Sequence, residues 1–295
     1  MRRKLKDLVA RRFMLLATFF SSILVFLIVA GLLQRSSLIL LTKPISELIL
    51  SSTWRPLAGE FGFYPFIIGT FWVTAIAMAL AIPICVLATV YLVEYAPSRL
   101  RELMKPLVDL LAGIPSVVFG VCGVLAIVPL VKKLALLFGI ATTGYSVFAG
   151  GIVLAVMVFP IIISVSHEVL RSVPNEVREA SLSLGATKWQ TVKHVVMRIA
   201  FPGVVAAVIL GFSRALGETM AVLMVVGNVP KVPLSVFDPG YPLPALIANS
   251  YGEMMSIPLY DSALLLAALM LLVVVFVSNV LARMMVSRIG VMMHR

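Results

Sequence analysis

The chain has 295 residues, 61% of them hydrophobic, and its mean hydropathy is +1.09. A soluble domain does not need that much apolar surface, so lipid is the solvent for most of this chain. The formal net charge of +11 comes from basic residues that flank apolar stretches, as topology signals do, and not from basic blocks interleaved with aromatic residues. We therefore expect a membrane protein with no nucleic-acid partner.

The N-terminal residues predict a membrane anchor. Residues 1–12 carry six basic side chains and one acid, Asp7, whereas residues 13–33 carry no charge. This apolar stretch is too long for a signal peptide, and Leu32-Leu33-Gln34 is a poor cleavage site. We predict a retained first transmembrane helix over residues 13–33, with a cytoplasmic N-terminus before it and an extracytoplasmic segment, residues 34–65, after it.

Five further apolar stretches predict five more spans. They cover residues 65–93, 107–131, 145–166, 199–228 and 262–282. In this topology 17 of the 24 Lys and Arg residues lie on the cytoplasmic side and six lie outside, as the positive-inside rule requires, while Arg214 lies within a span. Both termini, the loop over residues 167–198 and the tail over residues 283–295 are therefore predicted to be cytoplasmic.

The third of these spans contains a helix breaker. Gly113 and Pro115 lie near its start and predict a bend or a break. A broken helix is tolerated in a membrane where it lines a cavity, and the exposed end of a half-helix can hold an anion. An ordinary proline kink explains the same residues, and the sequence alone favours the kink.

The cytoplasmic loop predicts two short helices separated by a sharp turn. Pro174 suits the start of the first helix and Gly185 its end, while Thr187 and Gln190 fit a capping box that opens the second. Such a projecting pair is typical of a docking element for a partner protein. A helix lying on the membrane surface is the alternative, which Trp189 and the basic residues favour equally.

Two charges lie inside the fifth span. Arg214 and Glu218 are four residues apart, so on a continuous helix they share one face, to which Ser213 and Thr219 add hydroxyl groups. Charges inside a membrane are unfavourable and mark functional sites by default. A cation on a polar face indicates an anion-binding site. The alternative is that Arg214 and Glu218 neutralise each other and hold two helices together without a ligand.

Several of these stretches resemble known permeases. The sequence Glu179-Ala180-Ser181-x3-Gly185 resembles the EAA loop of binding-protein-dependent ABC importer permeases, which docks into a cleft of the cytoplasmic ATPase. Residues 111–120 and 214–228 resemble the third-span and fifth-span motifs of phosphate permeases of the PstC type. The similarity covers about residues 66–282.

The resemblance implies an all-α polytopic membrane protein of six transmembrane helices with a five-helix, MetI-like permease core. It also implies two sets of functional residues. The substrate path would include Arg214, Glu218, Ser213, Thr219, Gly113, Pro115 and Ser116. Contacts with the ATPase would involve Glu179, Ala180, Ser181 and Gly185.

The resemblance also implies a set of partners in the bacterial inner membrane. These are a PstA-type permease subunit, two copies of an ATPase subunit, a periplasmic phosphate-binding protein and membrane lipid. The chain lacks G-x-x-x-x-G-K-[ST], so ATP and Mg are expected on the ATPase, and we expect no enzymatic activity and no cofactor here. Cys85 and Cys122 show no metal-ligand spacing, so no metal is expected.

Three other functions compete with a phosphate importer. A molybdate or sulfate importer keeps the mechanism and changes the ligand. An ion-coupled secondary transporter or channel would use Arg214 and Glu218 as a proton-linked pair, but it has no use for the docking element. An intramembrane enzyme is disfavoured because no Ser/His, Asp/Asp or HExxH set falls within the spans.

Overall fold

The structure is a computed structural model that describes residues 2–252 and 257–293, with the side chains of 2–5, 7, 8 and 285–293 left out. Residues 253–256 of the predicted outer segment, Arg295 and the side chain of Arg288 in the predicted tail therefore lie outside the described part. Within it the helices are α1 Arg2–Thr42, α2 Ile45–Leu50, α3 Tyr64–Val90, α4 Ser98–Gly113, α5 Ser116–Cys122, α6 Val128–Leu137, α7 Val147–Arg171, α8 Asn175–Ser183, α9 Lys188–Thr191, α10 Met197–Leu216, α11 Met220–Val225, α12 Leu243–Ser250 and α13 Pro258–Met293.

Three π-helical turns extend these helices. Tyr91–Tyr95 continues α3, Gly123–Ile127 joins α5 to α6, and Val192–Val196 joins α9 to α10. The only strands among the described residues are β1 Trp54–Arg55 and β2 Glu60–Phe61, which pair antiparallel, and a short 3-10 turn, Pro56–Ala58, connects them. The predicted all-α class is thus confirmed, apart from this small hairpin.

Six helices in the described part of the chain are long and apolar enough to cross a membrane, which confirms the predicted number. They cover Val9–Thr42, Tyr64–Tyr95, Ser116–Leu137, Val147–Arg171, Lys188–Leu216 and Pro258–Met284. A helix satisfies most of its backbone groups within its own segment, which is the requirement for crossing hydrocarbon, although Pro83, Pro160 and Pro202 each remove one N–H donor from these spans.

The second, fourth and fifth spans pack through small residues. Gly151 of α7 faces Ile76 of α3, and Gly211 of α10 faces Ile162 of α7, so closely that an added Cβ would overlap the isoleucine in each case. Close approach at glycine is the usual way for membrane helices to gain packing contacts, because lipid gives no hydrophobic driving force between them. These three spans form the rigid centre around which the other helices lie.

The first span is longer than predicted. The helix continues past residue 33 to Thr42, because its outer end packs against α13 instead of ending at the membrane surface. The Ser262 hydroxyl accepts a hydrogen bond from the Ile39 N–H at 3.1 Å and donates one to the Arg35 carbonyl at 3.0 Å. Beside this contact lies an aromatic cluster of Trp54, Phe61, Phe63, Phe66 and Tyr260.

The third span begins later than predicted. Residues 107–113 belong to α4, which ends at Gly113, and the backbone is extended at Ile114 and Pro115 before α5 begins. A residue that precedes proline is disfavoured in helical geometry, which explains why the chain breaks here instead of bending. The chain therefore breaks at this position, so the ordinary proline kink is wrong, but the break precedes the third span, Ser116–Leu137, and does not lie within it as the half-helix interpretation expected.

Cysteines introduced at Ser172 and Leu234 test the predicted orientation. Ser172 is exposed after α7, and Leu234 is 90% exposed between α11 and α12. In intact cells a membrane-impermeant maleimide should label Leu234→Cys and spare Ser172→Cys, because the charge bias puts residue 172 in the cytoplasm. Both cysteines are introduced into a Cys122→Ser protein, because the native Cys122 is exposed and would react with the maleimide. Cys85 can stay, because it is buried. Permeabilised cells should label both positions, and labelling of residue 172 alone in intact cells contradicts the orientation.

Candidate functional site

The fifth span is interrupted at its predicted anion site. Helix α10 ends at Leu216, the N–H of Gly217 donates to the Arg214 carbonyl at 3.2 Å, and α11 begins only at Met220. The expectation that Arg214 and Glu218 share one helical face is therefore wrong. The physical reason is Gly217, whose low helix propensity lets the helix end between the two charges.

Arg214 and Glu218 do not form the predicted ion pair. The Arg214 side chain is exposed, and its guanidinium makes no hydrogen bond or salt bridge with any residue in the described ranges. The Glu218 carboxylate instead accepts a hydrogen bond from the Ala221 N–H at 3.4 Å, in the first turn of α11. Thr219 Oγ1 donates to the Gly217 carbonyl at 3.3 Å, so its hydroxyl also stabilises the break.

Arg214 lies near one end of the fifth apolar helix. It is 16 residues beyond Arg198, which is about 24 Å along an α-helix. The apolar helix Lys188–Leu216 ends two residues after it. An exposed cation within a segment that is apolar enough to cross a membrane needs an anion, a polar partner or water beside it.

Ser213 has a partner that the sequence did not reveal. Its hydroxyl donates to the Ile209 carbonyl at 2.8 Å and also contacts Asn279 Oδ1 in α13. A hydroxyl has one proton, so with Ile209 as its acceptor it can still receive an N–H from the amide of Asn279. The only sequence signal for this contact is an asparagine within an apolar span.

The third-span residues fall into a different region from Arg214. Gly113 and Pro115 line an open cleft of about 1080 Å³, together with side chains of α4 and α7 that include Lys105, His167 and Arg171. Arg214 and Glu218 do not line this cleft, and neither does Ser116, which starts α5. The predicted path residues are thus divided between two places on the described chain.

Helices α5 and α11 connect these two places. A Cβ at Gly120 of α5 would lie 2.6 Å from Met224 Sδ and 3.2 Å from Ala221 Cα, so the two short helices touch at this glycine. Each of them directly follows one of the two helix breaks. The helix that follows the break at Pro115 therefore packs directly against the helix that follows the break at Gly217, although the two breaks do not line the same cavity.

The cytoplasmic loop has the predicted form. Pro174 precedes the first turn of α8, Gly185 follows its end with a φ of +85°, and Thr187 and Gln190 form the capping box. The second helix differs from the prediction, because α9 runs without interruption into the fifth span. Its first residues are thus one end of a long helix and not a separate element.

The loop presents a protruding surface. Glu179, Ala180 and Gly185 are exposed, and Ser181 contacts the Thr191 hydroxyl at 2.9 Å, which fixes α8 against α9. The large apolar side chains that surround this tip are exposed as well: Leu182 (47%), Leu184 (89%) and Trp189 (56%). Two helices that are fixed to each other and end in apolar side chains form a surface that can bind a partner protein.

Comparison with known proteins identifies the family. Residues 81–291 match the family described as the binding-protein-dependent transport system inner membrane component. The chain belongs to this family. The match covers most of the predicted permease core, and together with the six apolar helices it makes this permease a multi-pass membrane protein.

Relatives of this permease point the same way. A probable ABC transporter permease protein, YqgH of Bacillus subtilis (strain 168), is 38% identical over 269 residues, which cover 90% of this chain and 85% of that protein. The phosphate transport system permease protein PstC of Xylella fastidiosa (strain 9a5c) is 36% identical over 255 residues, which cover 81% of this chain and 78% of that protein. The predicted resemblance to PstC-type permeases is confirmed.

A solved structure confirms the fold of the permease. A chain of a bacterial alginate ABC transporter, in complex with an alginate-bound periplasmic protein, superposes with a TM-score of 0.66 at 16% identity. The superposition covers 95% of this chain and 96% of that one. At this identity the likeness concerns the fold alone, which is the predicted permease fold.

The turn at Gly185 generates a structural prediction. In the variant Ser181→Cys/Thr191→Cys/Cys122→Ser, the two new thiols replace hydroxyls that are 2.9 Å apart, so mild oxidation should form a disulfide. Adding Gly185→Val should slow this reaction about fivefold or more, because a β-branched residue is strained at positive φ. A maleimide gel-shift assay measures the remaining thiols.

Gly139 provides the matched control for this prediction. It has a φ of +73°, and like Gly185 it has no atom within 4 Å of an added Cβ, but it follows α6 and not α8. Gly139→Val should leave the oxidation rate unchanged. Equal rates in the Gly185→Val and unmodified backgrounds would show that the turn does not determine how α8 lies against α9.

Proposed function

We propose that this chain is a permease subunit that forms part of the translocation path of an ATP-driven phosphate importer. The observation that carries the proposal is the exposed guanidinium of Arg214, which has no partner among the described residues and lies beside the helix break that ends the fifth span. Relatives of the chain that include phosphate transport permeases supply the ligand class. The guanidinium indicates an oxyanion, and the relatives' names indicate that the oxyanion is phosphate.

Arginine suits phosphate for two reasons. Its guanidinium presents a planar fork of N–H donors that matches two phosphate oxygens, and it stays charged in a low-dielectric site. The helix break separates Glu218 from Arg214, so Glu218 does not neutralise the guanidinium. In the proposed path, Arg214 binds phosphate directly, while Glu218 and Thr219 hold the break and Ser213 holds α10 against α13.

The proposed assembly follows the predicted partners. The exposed tip of α8, with Glu179, Ala180, Ser181 and Gly185, would dock on one of two ATPase subunits, and its apolar rim suits a protein cleft. A PstA-type subunit would complete the path, and a periplasmic phosphate-binding protein would deliver the ligand. ATP and Mg would bind the ATPase, this chain would bind no cofactor of its own, and both termini would lie in the cytoplasm.

The competing functions have less support. An ion-coupled transporter was expected to use an Arg214–Glu218 proton-linked pair, and the described residues contain no such pair. A molybdate or sulfate importer would use the same guanidinium, and uptake measurements with each oxyanion separate these substrates. Phosphate is preferred because the PstC proteins among the relatives are phosphate permeases by name.

Substitution of Arg214 tests the proposal. Arg214→Gln should lower the rate of radiolabelled phosphate uptake at least about tenfold, because a charge-assisted hydrogen bond contributes about 1.5–3 kcal/mol. Arg214→Lys should keep only part of the uptake, since lysine retains the charge but loses the fork. Arg198→Gln is the matched control, because it removes an exposed arginine near the cytoplasmic end of the same helix.

A double variant separates ligand binding from a structural role. If Arg214 only balanced Glu218, then Arg214→Gln/Glu218→Gln would restore uptake, because a neutral pair needs no partner charge. We expect uptake to stay low in this variant while the amounts of inserted permease and co-purified ATPase stay normal. Near-normal uptake in the double variant would show that Arg214 does not bind phosphate.

A further inference from the structure

The second span ends in a segment that three other elements contact. This 91–96 segment consists of the π-helical turn Tyr91–Tyr95 and Ala96. Basic side chains reach it from α8, from α9 and from α4. None of these contacts involves a site residue that was predicted from the sequence. Each contact joins α8, α9 or α4 to the end of the second span.

Arg178 of α8 makes the most extensive of these contacts. Its Nε and Nη2 donate to the Glu94 carboxylate at 3.1 and 2.9 Å, and Nη2 also donates to the Leu170 carbonyl at 2.9 Å. Nη1 donates to the Val173 carbonyl and, at 3.3 Å, to Asn175 Oδ1. One guanidinium therefore joins the docking helix to the end of α7 and to the 91–96 segment.

The ion pair is sheltered from water. The side chains of Arg178 and Glu94 are 15% and 9% exposed, whereas the other ion pair among the described residues, Lys43–Glu47, has side chains that are 24% and 51% exposed. Breaking a buried pair on one side leaves an uncompensated charge, so a sheltered pair resists separation far more than a surface pair does. The Nε and Nη2 groups both donate to the same carboxylate oxygen, Glu94 Oε1, which orients α8 relative to the segment.

Two further cations hold the same segment. Arg101 of α4 donates to the carbonyls of Leu92 at 3.1 Å, Val93 at 2.9 Å and Ala96 at 3.4 Å. The Lys188 ammonium of α9 lies 4.7 Å from the centre of the Tyr95 ring, a cation–π contact. The segment is thus fixed to α4 by hydrogen bonds to its carbonyls and to both loop helices by charge.

We propose that the Glu94–Arg178 ion pair transmits movement of the docking helix α8 to α3 and α4 during the transport cycle. This inference rests on the proposed function, in which an ATPase moves α8. From the 91–96 segment the movement would pass through Arg101 into α4, which leads to the break at Pro115 and to α5. Helix α5 touches α11 at Gly120, and α11 follows the break beside Arg214. Glu94 and Arg178 are positioning residues in this scheme and do not touch phosphate.

The experiment measures coupling in the assembled importer. The permease is reconstituted in proteoliposomes with its ATPase, permease partner and binding protein, and phosphate uptake is compared with ATP hydrolysis. Arg178→Gln and Glu94→Gln should keep the ATPase bound and hydrolysis within about twofold of wild type, while phosphate transported per ATP falls at least about tenfold. The swap Glu94→Arg/Arg178→Glu should recover part of that ratio. Lys43→Gln, which breaks the exposed pair, is the matched control and should change nothing.

Two results would overturn the proposal. An unchanged ratio of phosphate to ATP in both single variants would show that the pair does not couple. Uptake and hydrolysis that fall together, in proportion to the amount of assembled complex, would show a purely structural role. Arg178→Lys is a control for misfolding, because lysine retains a cation in the sheltered site but cannot reproduce the paired Nε and Nη2 hydrogen bonds to Glu94.

A second readout does not depend on the substrate. Gly113→Cys, in a Cys122→Ser background, places a thiol at the exposed end of α4, where an added Cβ meets no atom within 4 Å. Addition of MgATP with vanadate should change the rate at which maleimide labels this thiol when the Glu94–Arg178 pair is intact. The rate should not change when Arg178→Gln is also present. No change with the intact pair overturns the inference. A change that requires Arg178, in an importer that does not transport phosphate, would overturn the proposed substrate and leave the inference standing.

Discussion

Hydrocarbon offers no partner for a backbone N–H or C=O, and this constraint governs the whole chain. Six helices in the described part of the chain satisfy it for most of their length, yet the chain leaves helical geometry at Ile114–Pro115 and again at Gly217–Thr219. Local hydrogen bonds cross both breaks, since Gly217 donates to Arg214, Leu223 to Thr219 and Val118 to Pro115. Each break therefore ends one helix and begins another with part of its backbone bonded locally.

The break in the fifth span changes the electrostatics of the predicted site. On a continuous helix the two charges would lie one turn apart and attract each other. The turn at Gly217 instead directs the Glu218 carboxylate to the first turn of α11, and the Arg214 guanidinium remains unpaired among the described residues. The helix end thus separates the cation of Arg214 from the anion of Glu218, as the proposed binding of phosphate by Arg214 requires.

Arginine side chains hold together the region around α8 and the 91–96 segment. Arg178 and Arg101 each use several donors at once: Arg178 joins α8 to Glu94, which is 84 positions away, and Arg101 holds the carbonyls of the adjacent 91–96 segment. The tip of α8 stays exposed and apolar, whereas its base is held by the sheltered ion pair. A docking element that is free at its tip and fixed at its base passes a force on its tip to the helices that hold its base.

The sequence by itself determined the features that depend on neighbouring residues. Apolar length gave the six spans, and the turn at Gly185 and the capping box at Thr187 followed from local backbone rules. Tertiary structure alone decided the rest. Glu94 and Arg178 are 84 positions apart, and Ser213 and Asn279 are 66 apart, so no local pattern links them. The first helix reached Thr42 because Ser262 and the aromatic cluster stabilise its outer end. Arg214 and Glu218 separated because helical periodicity predicts a shared face only while the helix continues, and Gly217 ended it.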